Sequence, residues 1–435
     1  MYITNIKITN FRGIEILDIR LNKEGAVFYG INGVGKSSII QAVNIIFSRI
    51  LDRTSLGKFK NQIRIQEEDV RYGSSVVQIV TDIVMKDQKY IVSRSYDKKK
   101  RKHTISKDSL NEISEFIRND LAESDNSDLP IFVMYGVNRS VIDIPLRIRD
   151  KHSFDRIAAY EKSSAGTDFR VFFEWFRNQE DYENQVRANQ DIGYQDSQLK
   201  AVRQAIYNIM PGFSNLMVER KPRLRMVVTK DNTKLSINQL SDGEKCYIAM
   251  IGDLARRMAI ANPNAMNPLL CSGIVLIDEI ELHLHPEWQR KIVYALCNTF
   301  PNIQFIITTH SPQVLGEVKD MDVFKLIKKA GNVTAQKVES TFGRDSDFIL
   351  KQFMDTSSNG EVIPEAHNDK AHAMIEHFGL DSYALTKARG AAIDIALQSI
   401  GFFNDSIDEE ALKGELEFNQ NPDADGNLPP FCDAV

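Results

Sequence analysis

"GAVFYGINGVGKSSIIQAVNIIFSRI", residues 25–50, decides the fold. A short apolar run leads into a glycine-rich turn, and a helical apolar pattern follows. The turn fits G-x-x-x-x-G-K-S with Gly30, Gly35, Lys36 and Ser37, while Asn32, Gly33 and Ser38 complete the loop. Glycines let backbone N–H groups turn inward around phosphates, and the start of a helix adds a favourable dipole. In such a loop the lysine reaches the β- and γ-phosphates and the serine hydroxyl ligates Mg²⁺. A glycine-rich turn can fit this pattern by accident. The strand before it and the helix after it make it a phosphate loop, with ATP and Mg²⁺ as the expected ligands.

Two later strand ends supply chemistry that this loop lacks. "GIVLIDEIELHLHP" (273–286) is an apolar strand closing on Asp278 and Glu279. An Asp there can hold Mg²⁺, and the adjacent Glu can orient or deprotonate an attacking water. An acidic strand end alone is common; paired with Lys36 it carries weight. "FIITTHSPQVL" (305–315) ends a second strand at His310, with Ser311 and Pro312 as N-cap and first residue of a helix. His310 would reach a γ-phosphate or its water; otherwise it is a surface loop histidine. His283 and His285 sit two apart without a third ligand nearby. His367, His372 and His377 recur every five residues and so share no helical face. Neither set reads as a metal site.

"LSDGEKCYIAM" (240–250) starts another helix, with Ser241 and Glu244 spaced as a capping box. Gly243 in its first turn costs helix stability relative to alanine.

Around these landmarks, strands are expected over 1–29, 76–106, 129–136 and after Pro211-Gly212, with a charged helical stretch over about 154–210. The domain reading follows: residues 1–150 form the first part of the core, 151–215 a helical insertion and 216–335 the second part. Residues 336–435 form a helical extension ending in a polar tail. The architecture is α/β. The chain of 435 residues has a net charge of -5, which gives no general pull toward nucleic acid. The basic run Lys98–Lys102 is therefore either a solvated hairpin tip or a local phosphate contact. No apolar run is long enough to span a membrane. Four scattered cysteines lack metal spacing and suit a reducing cytoplasm.

In order, "GINGVGKSS", "LSDGEK", "VLIDEIE" and "THS" resemble the Walker A, signature, Walker B and switch-histidine elements of an ABC-type ATPase head. "ITNFRGI" resembles the opening of RecF- and SMC-like members, in which the arginine, here Arg12, approaches the nucleotide. Longer stretches, including "LSDGEKCYIAMIGDLARRMAIANP", "GIVLIDEIELHLHPEWQR" and "MYGVNR", are similar to the PtuA family of ATPase subunits in Septu anti-phage systems. That resemblance runs over roughly residues 1–355. It implies an ABC-type (RecF/SMC-like) P-loop head with a helical insertion and a small C-terminal helical extension. It also implies a homodimer closed through its ATP sites, within a higher homo-oligomer. Ser241 and Gly243 of one subunit then meet ATP held by the other. The implied partner is an HNH endonuclease, PtuB, acting on phage or other DNA. Gln66, or Gln78, matches a Q-loop glutamine.

Other functions remain open on the sequence. A RecF-like repair ATPase would bind DNA without a nuclease partner. A scaffold would use nucleotide only to hold an oligomer together. An OLD-like nuclease would need its own metal-holding acidic set. The one acidic pair downstream, Asp423 and Asp425 in "DADG", follows no apolar strand.

Overall fold

The computed structural model describes residues 1–354, apart from 60–61, 124–127, 138–153, 165, 330 and 339–340. The expected C-terminal extension lies mostly outside the described residues. So do the three histidines at 367, 372 and 377, Asp423 and Asp425, Cys432, and Asn138 and Arg139 of "MYGVNR".

The chain opens with β1 (Tyr2–Phe11), β2 (Ile14–Arg20) and β3 (Gly25–Tyr29), followed by α1 (Lys36–Thr54). Next come β4 (Val76–Met85), β5 (Gln88–Asp97), β6 (Lys102–Ile105), α2 (Lys107–Glu123) and β7 (Ile131–Tyr135). The charged helical stretch becomes α3 (Phe169–Asn189) and α4 (Ser197–Ile209). Strands β8 (Phe213–Glu219), β9 (Arg225–Lys230) and β10 (Thr233–Ser236) lead into α5 (Asp242–Ala261). The rest is β11 (Gly273–Ile277), α6 (Pro286–Thr299), β12 (Ile303–Thr309), α7 (Pro312–Leu315), β13 (Asp322–Lys329), β14 (Asn332–Val338) and α8 (Ser346–Gln352).

Among the described residues a six-stranded sheet runs in the order β14-β13-β3-β12-β11-β7. From β13 to β7 every pairing is parallel, and β14 closes one edge antiparallel. All five residues of β3 and of β11, and all seven of β12, are buried. These near-continuous apolar runs suit parallel strands covered on both faces. Helix α1 supplies one cover, with Phe47 stacked on Phe132 of β7 at 4.1 Å between ring centroids. Strands β2-β1-β4-β5-β6 form a separate antiparallel sheet, which includes the meander expected over 76–106.

Helices α3 and α4 pack against α5. A Cβ at Gly252 of α5 would stand 2.6 Å from the Phe172 ring of α3, so the missing side chain sets how closely the two helices approach. Buried charge also ties α5 to β7 and to the turn around Ala159. Asp253 accepts from Arg256 and Arg257 at 2.7 Å each and from the Tyr135 hydroxyl at 3.1 Å. Arg257 also donates to the Ala159 and Glu161 carbonyls. Burial opposes the charge of Asp253, but its two arginines win and hold its pKa below the usual carboxylate range.

Candidate functional site

In parallel order β12 lies between β3 and β11, so the C-terminal ends of all three open on one crevice, the usual ligand position in such sheets. The phosphate loop leaves β3, Asp278 and Glu279 follow β11, and His310 follows β12.

The loop ends at Gly35, which caps α1 in the left-handed region at φ 111°. An L side chain would be strained there. No side chain caps this helix and no acidic residue stands in its first turn. Asn32, Gly33 and Ser37 are exposed, while Gly35 and Ser38 are half-buried. Lys36 is buried. Its ammonium donates to the Gly30 and Ile31 carbonyls at 2.8 and 3.1 Å and lies 3.4 Å from His310 Nδ1. Burial lowers the Lys36 pKa, against the opposing pull of Glu279, Glu281 and Asp278.

Asp278 is buried and accepts from the Thr308 hydroxyl at 2.5 Å. Glu279 turns the chain with φ 50°, and its N–H donates to the same Thr308 oxygen at 2.8 Å. Neighbouring residues on a strand normally point to opposite faces, so this left-handed turn accounts for both carboxylates serving the crevice. Glu279 Oε1 stands 3.8 Å from His310 Nε2. The His310 pKa is lowered, first by burial and then by Lys36, with the carboxylates pulling the other way. The ring is therefore favoured neutral, consistent with Nδ1 accepting from Lys36.

Glu281 was not among the residues singled out from the sequence. Its carboxylate accepts from the His310 N–H and from the Thr309 hydroxyl, the latter at 2.7 Å. It thereby ties the end of β12 to the loop after β11. An acidic residue two after Glu279 was the only available signal.

At α5, Ser241 and Glu244 form the expected reciprocal cap. The Ser241 N–H donates to Glu244 at 3.0 Å, and the Glu244 N–H to Ser241 Oγ at 3.4 Å. Lys230 pairs with Glu244 at 2.7 Å. Gly243 has a steric role within its own chain. Gly243 is buried, and an added Cβ would stand 2.1 Å from the His283 carbonyl oxygen. The space a side chain would need is filled by the chain's own backbone rather than kept open. Tyr247 of α5 donates to the Ile280 carbonyl, so the helix is seated on the loop that carries Glu279 and Glu281. His285 caps α6 through its contact with the Glu287 N–H.

Arg12 lies in the β1–β2 turn at φ 50°, with Nε donating to Asp69 at 2.9 Å. Ile14, the first residue of β2, would be 3.9 Å from a Cβ at Gly35, which sets the start of β2 beside the phosphate loop. Gln66 begins the short helical turn carrying Asp69; its N–H donates to that carboxylate at 2.9 Å and its Nε2 to the Arg64 carbonyl at 3.4 Å. Gln78 is exposed on β4. Among the described residues, no group of three or more His, Cys, Asp or Glu side chains could alone hold a metal. The residues fit a Mg²⁺–nucleotide through a different donor set. A buried cation, an uncapped helix start and a buried carboxylate meet at one crevice. The remaining metal ligands would come from phosphate and water.

Residues 26–316 match the family described as an AAA domain, putative AbiEii toxin, type IV TA system. The chain is 30% identical to the retron Ec83 probable ATPase of Escherichia coli, with 95% of this chain and 86% of the relative covered. It is 29% identical to the retron Vc95 probable ATPase of Vibrio cholerae serotype O1 biovar El Tor, over 86% of this chain and 82% of the relative. Against the Septu protein PtuA of Bacillus thuringiensis the identity is 23%, over 72% and 73%. Among solved structures it is similar to an SMC head bound to the C-winged helix domain of ScpA. There the identity is 14%, the coverage 78% and 98%, and the TM-score 0.49.

Proposed function

This chain belongs to the AAA-domain family matched over residues 26–316, and we propose that it is the ATP-hydrolysing subunit of an anti-phage defence complex. The reading rests on one observation above others. Lys36, His310 and Glu279 form a continuous polar cluster at the ends of three adjacent parallel strands, linked by contacts of 3.4 and 3.8 Å. The similarity to two retron ATPases and to PtuA proteins supports the defence role.

In this proposal the N–H groups of Gly33–Ser38 and the Lys36 ammonium bind the phosphates of ATP. Ser37 and Asp278 would hold Mg²⁺, which would neutralise phosphate charge. Glu279 accepts the proton of the attacking water. Neutral His310 orients that water or the terminal phosphate, and Glu281 fixes the His310 backbone. Arg12 and Gln66 stand ready at the loop's flank. Ser241 and Gly243 of a second copy complete the site, so that ATP joins two subunits. The complex then gates an HNH endonuclease of the PtuB kind, and cleavage of DNA belongs to that partner.

Glu279→Gln tests the catalytic half. ATP binding should persist while turnover falls about 10²–10⁴-fold, the usual contribution of a positioned base. Unchanged turnover would remove Glu279 from the chemistry. Co-expression with a neighbouring HNH protein tests the other half. Absence of both a complex and phage protection would leave an ATPase with some other partner.

A further inference from the structure

The phosphate-loop end of the five-stranded sheet carries a surface that ATP chemistry does not use. The basic run spans the turn between β5 and β6 and the first residue of β6, and all five residues, Lys98–Lys102, are exposed. Lys98 pairs with Glu67 at 2.9 Å, and Lys100 stands 4.0 Å from Asp97. Lys99, Arg101 and Lys102 have no ion-pair partner among the described residues. Three unpaired cations in an acidic chain lower the cost of holding polyanionic phosphate at this one place. Tyr72 stands in the neighbouring turn and is fully exposed, at 102% of its reference area. The two turns are adjacent, because the Lys98 N–H donates to the Ser75 carbonyl at 2.8 Å. A fully exposed aromatic ring beside a cationic run is the combination that takes unpaired bases by stacking and their phosphates by charge.

We propose that this end of the sheet binds single-stranded nucleic acid, with Tyr72 stacking on a base and Lys99, Arg101 and Lys102 contacting the backbone. A path of ion pairs joins this surface to the ATP loop. Lys98 holds Glu67, the turn carrying Glu67 ends at Asp69, and Asp69 holds Arg12, two residues before Ile14, whose side chain lies beside Gly35. Phosphate competing for Lys98 would loosen Glu67 and shift that turn. Strand binding would thereby be felt at the nucleotide. This second step rests on the ATPase reading; the binding step does not.

The test titrates the full-length chain, without ATP or partner protein, against a fluorescent single-stranded oligonucleotide and the matching duplex. The single strand should bind more tightly. Tyr72→Ala should weaken single-strand binding about fivefold or more, the lower end of the effect of losing one stacked base. Reversing charge at Lys99, Arg101 and Lys102 should lower the slope of log affinity against log salt by about 2, from about 0.7 per single-strand phosphate. Basal ATP turnover of each variant confirms a folded core. Equal affinity for duplex, or wild-type binding by both variants, overturns the site. For the coupling step, the oligonucleotide should change ATP turnover in the wild type and leave it unchanged in Glu67→Gln. A wild-type response in Glu67→Gln overturns the relay while leaving the binding site standing.

Discussion

Helices α1 and α5 both begin at a turn tied by sequence to phosphate, and they are built in opposite ways. Helix α1 starts from a left-handed glycine with no side-chain cap and no acid in its first turn. Helix α5 starts from Ser241 with a reciprocal cap and carries Asp242 and Glu244 in its first turn. Every helix start leaves backbone N–H groups without intrahelical partners and bears partial positive charge. At α5 the chain's own carboxylate answers that charge. At α1 the nearest strong polar group is a cation, Lys36. One end is therefore prepared for an anion from outside and the other is already satisfied. An anion reaching α5 must displace Glu244 or bind beside it, which suits a contact made only when a second subunit closes.

The largest expected effect lies at α1. Lys36→Ala should lower ATP affinity of the isolated subunit about 10²-fold or more. It removes a charge-assisted contact and leaves Asp278, Glu279 and Glu281 facing one another without their cation. A fluorescent-nucleotide titration reads this directly. Ser241→Arg should leave the same titration unchanged and abolish ATP-driven dimerisation in sedimentation or light scattering. If Ser241→Arg instead weakens ATP binding by the monomer, the contrast between the two helix starts is wrong.

Gly243→Ala should come next. Its Cβ would collide with the His283 carbonyl oxygen, a backbone atom that cannot swing away. Forcing the loop outward should cost about 1–3 kcal/mol in chemical denaturation. It should also lower turnover, because Glu279 and Glu281 sit on the displaced loop. An unaltered unfolding midpoint would mean that the loop yields freely. Ser241→Ala is smaller, about 1 kcal/mol for the loss of the cap.

This contrast between the helices shows which parts of the site were legible. The α1 loop, the acidic end of β11, His310 and the Ser241–Glu244 cap all follow from local patterns, and each stands at the expected element end. Gly243 was legible as an anomaly, but its steric contact was not, because its neighbour in space, His283, is 40 positions away in the chain. The role of Glu281 depends on which strand lies beside β11. Apolar strands of similar length do not reveal their order, and here β12 and β7 flank β11. Helix α2 was not among the expected elements, although Leu110, Ile113 and Ile117 are buried at helical spacing. The Arg12–Asp69 pair joins residues 57 apart and could be read only from the folded chain.

The smallest expected effect, and the one that bears most closely on α1, concerns protonation of His310. Nδ1 lies 3.4 Å from the Lys36 ammonium, so it must present a lone pair rather than a proton. Burial and Lys36 both push its pKa below the ordinary 6.5, and the three nearby carboxylates only partly offset them. The unfolded chain then binds a proton at His310 more readily than the folded one. Stability from this group is fully present above pH 6.5 and is lost as pH falls below 6.5 through the lowered folded value. His310→Gln cannot titrate and should lose this part of the pH dependence. The comparison to make is the fall in denaturation midpoint between pH 7.5 and 5.5, which should be smaller in His310→Gln than in the wild type. A saturating, non-hydrolysed nucleotide supplies the sharper version. Phosphate would draw Lys36 away from Nδ1 and remove one cause of the lowered pKa, so the wild-type fall should also shrink with that nucleotide bound. If nucleotide leaves the pH dependence unchanged, Lys36 does not exchange its contact with His310 for phosphate, and the view of α1 as the end prepared for an outside anion loses its main support.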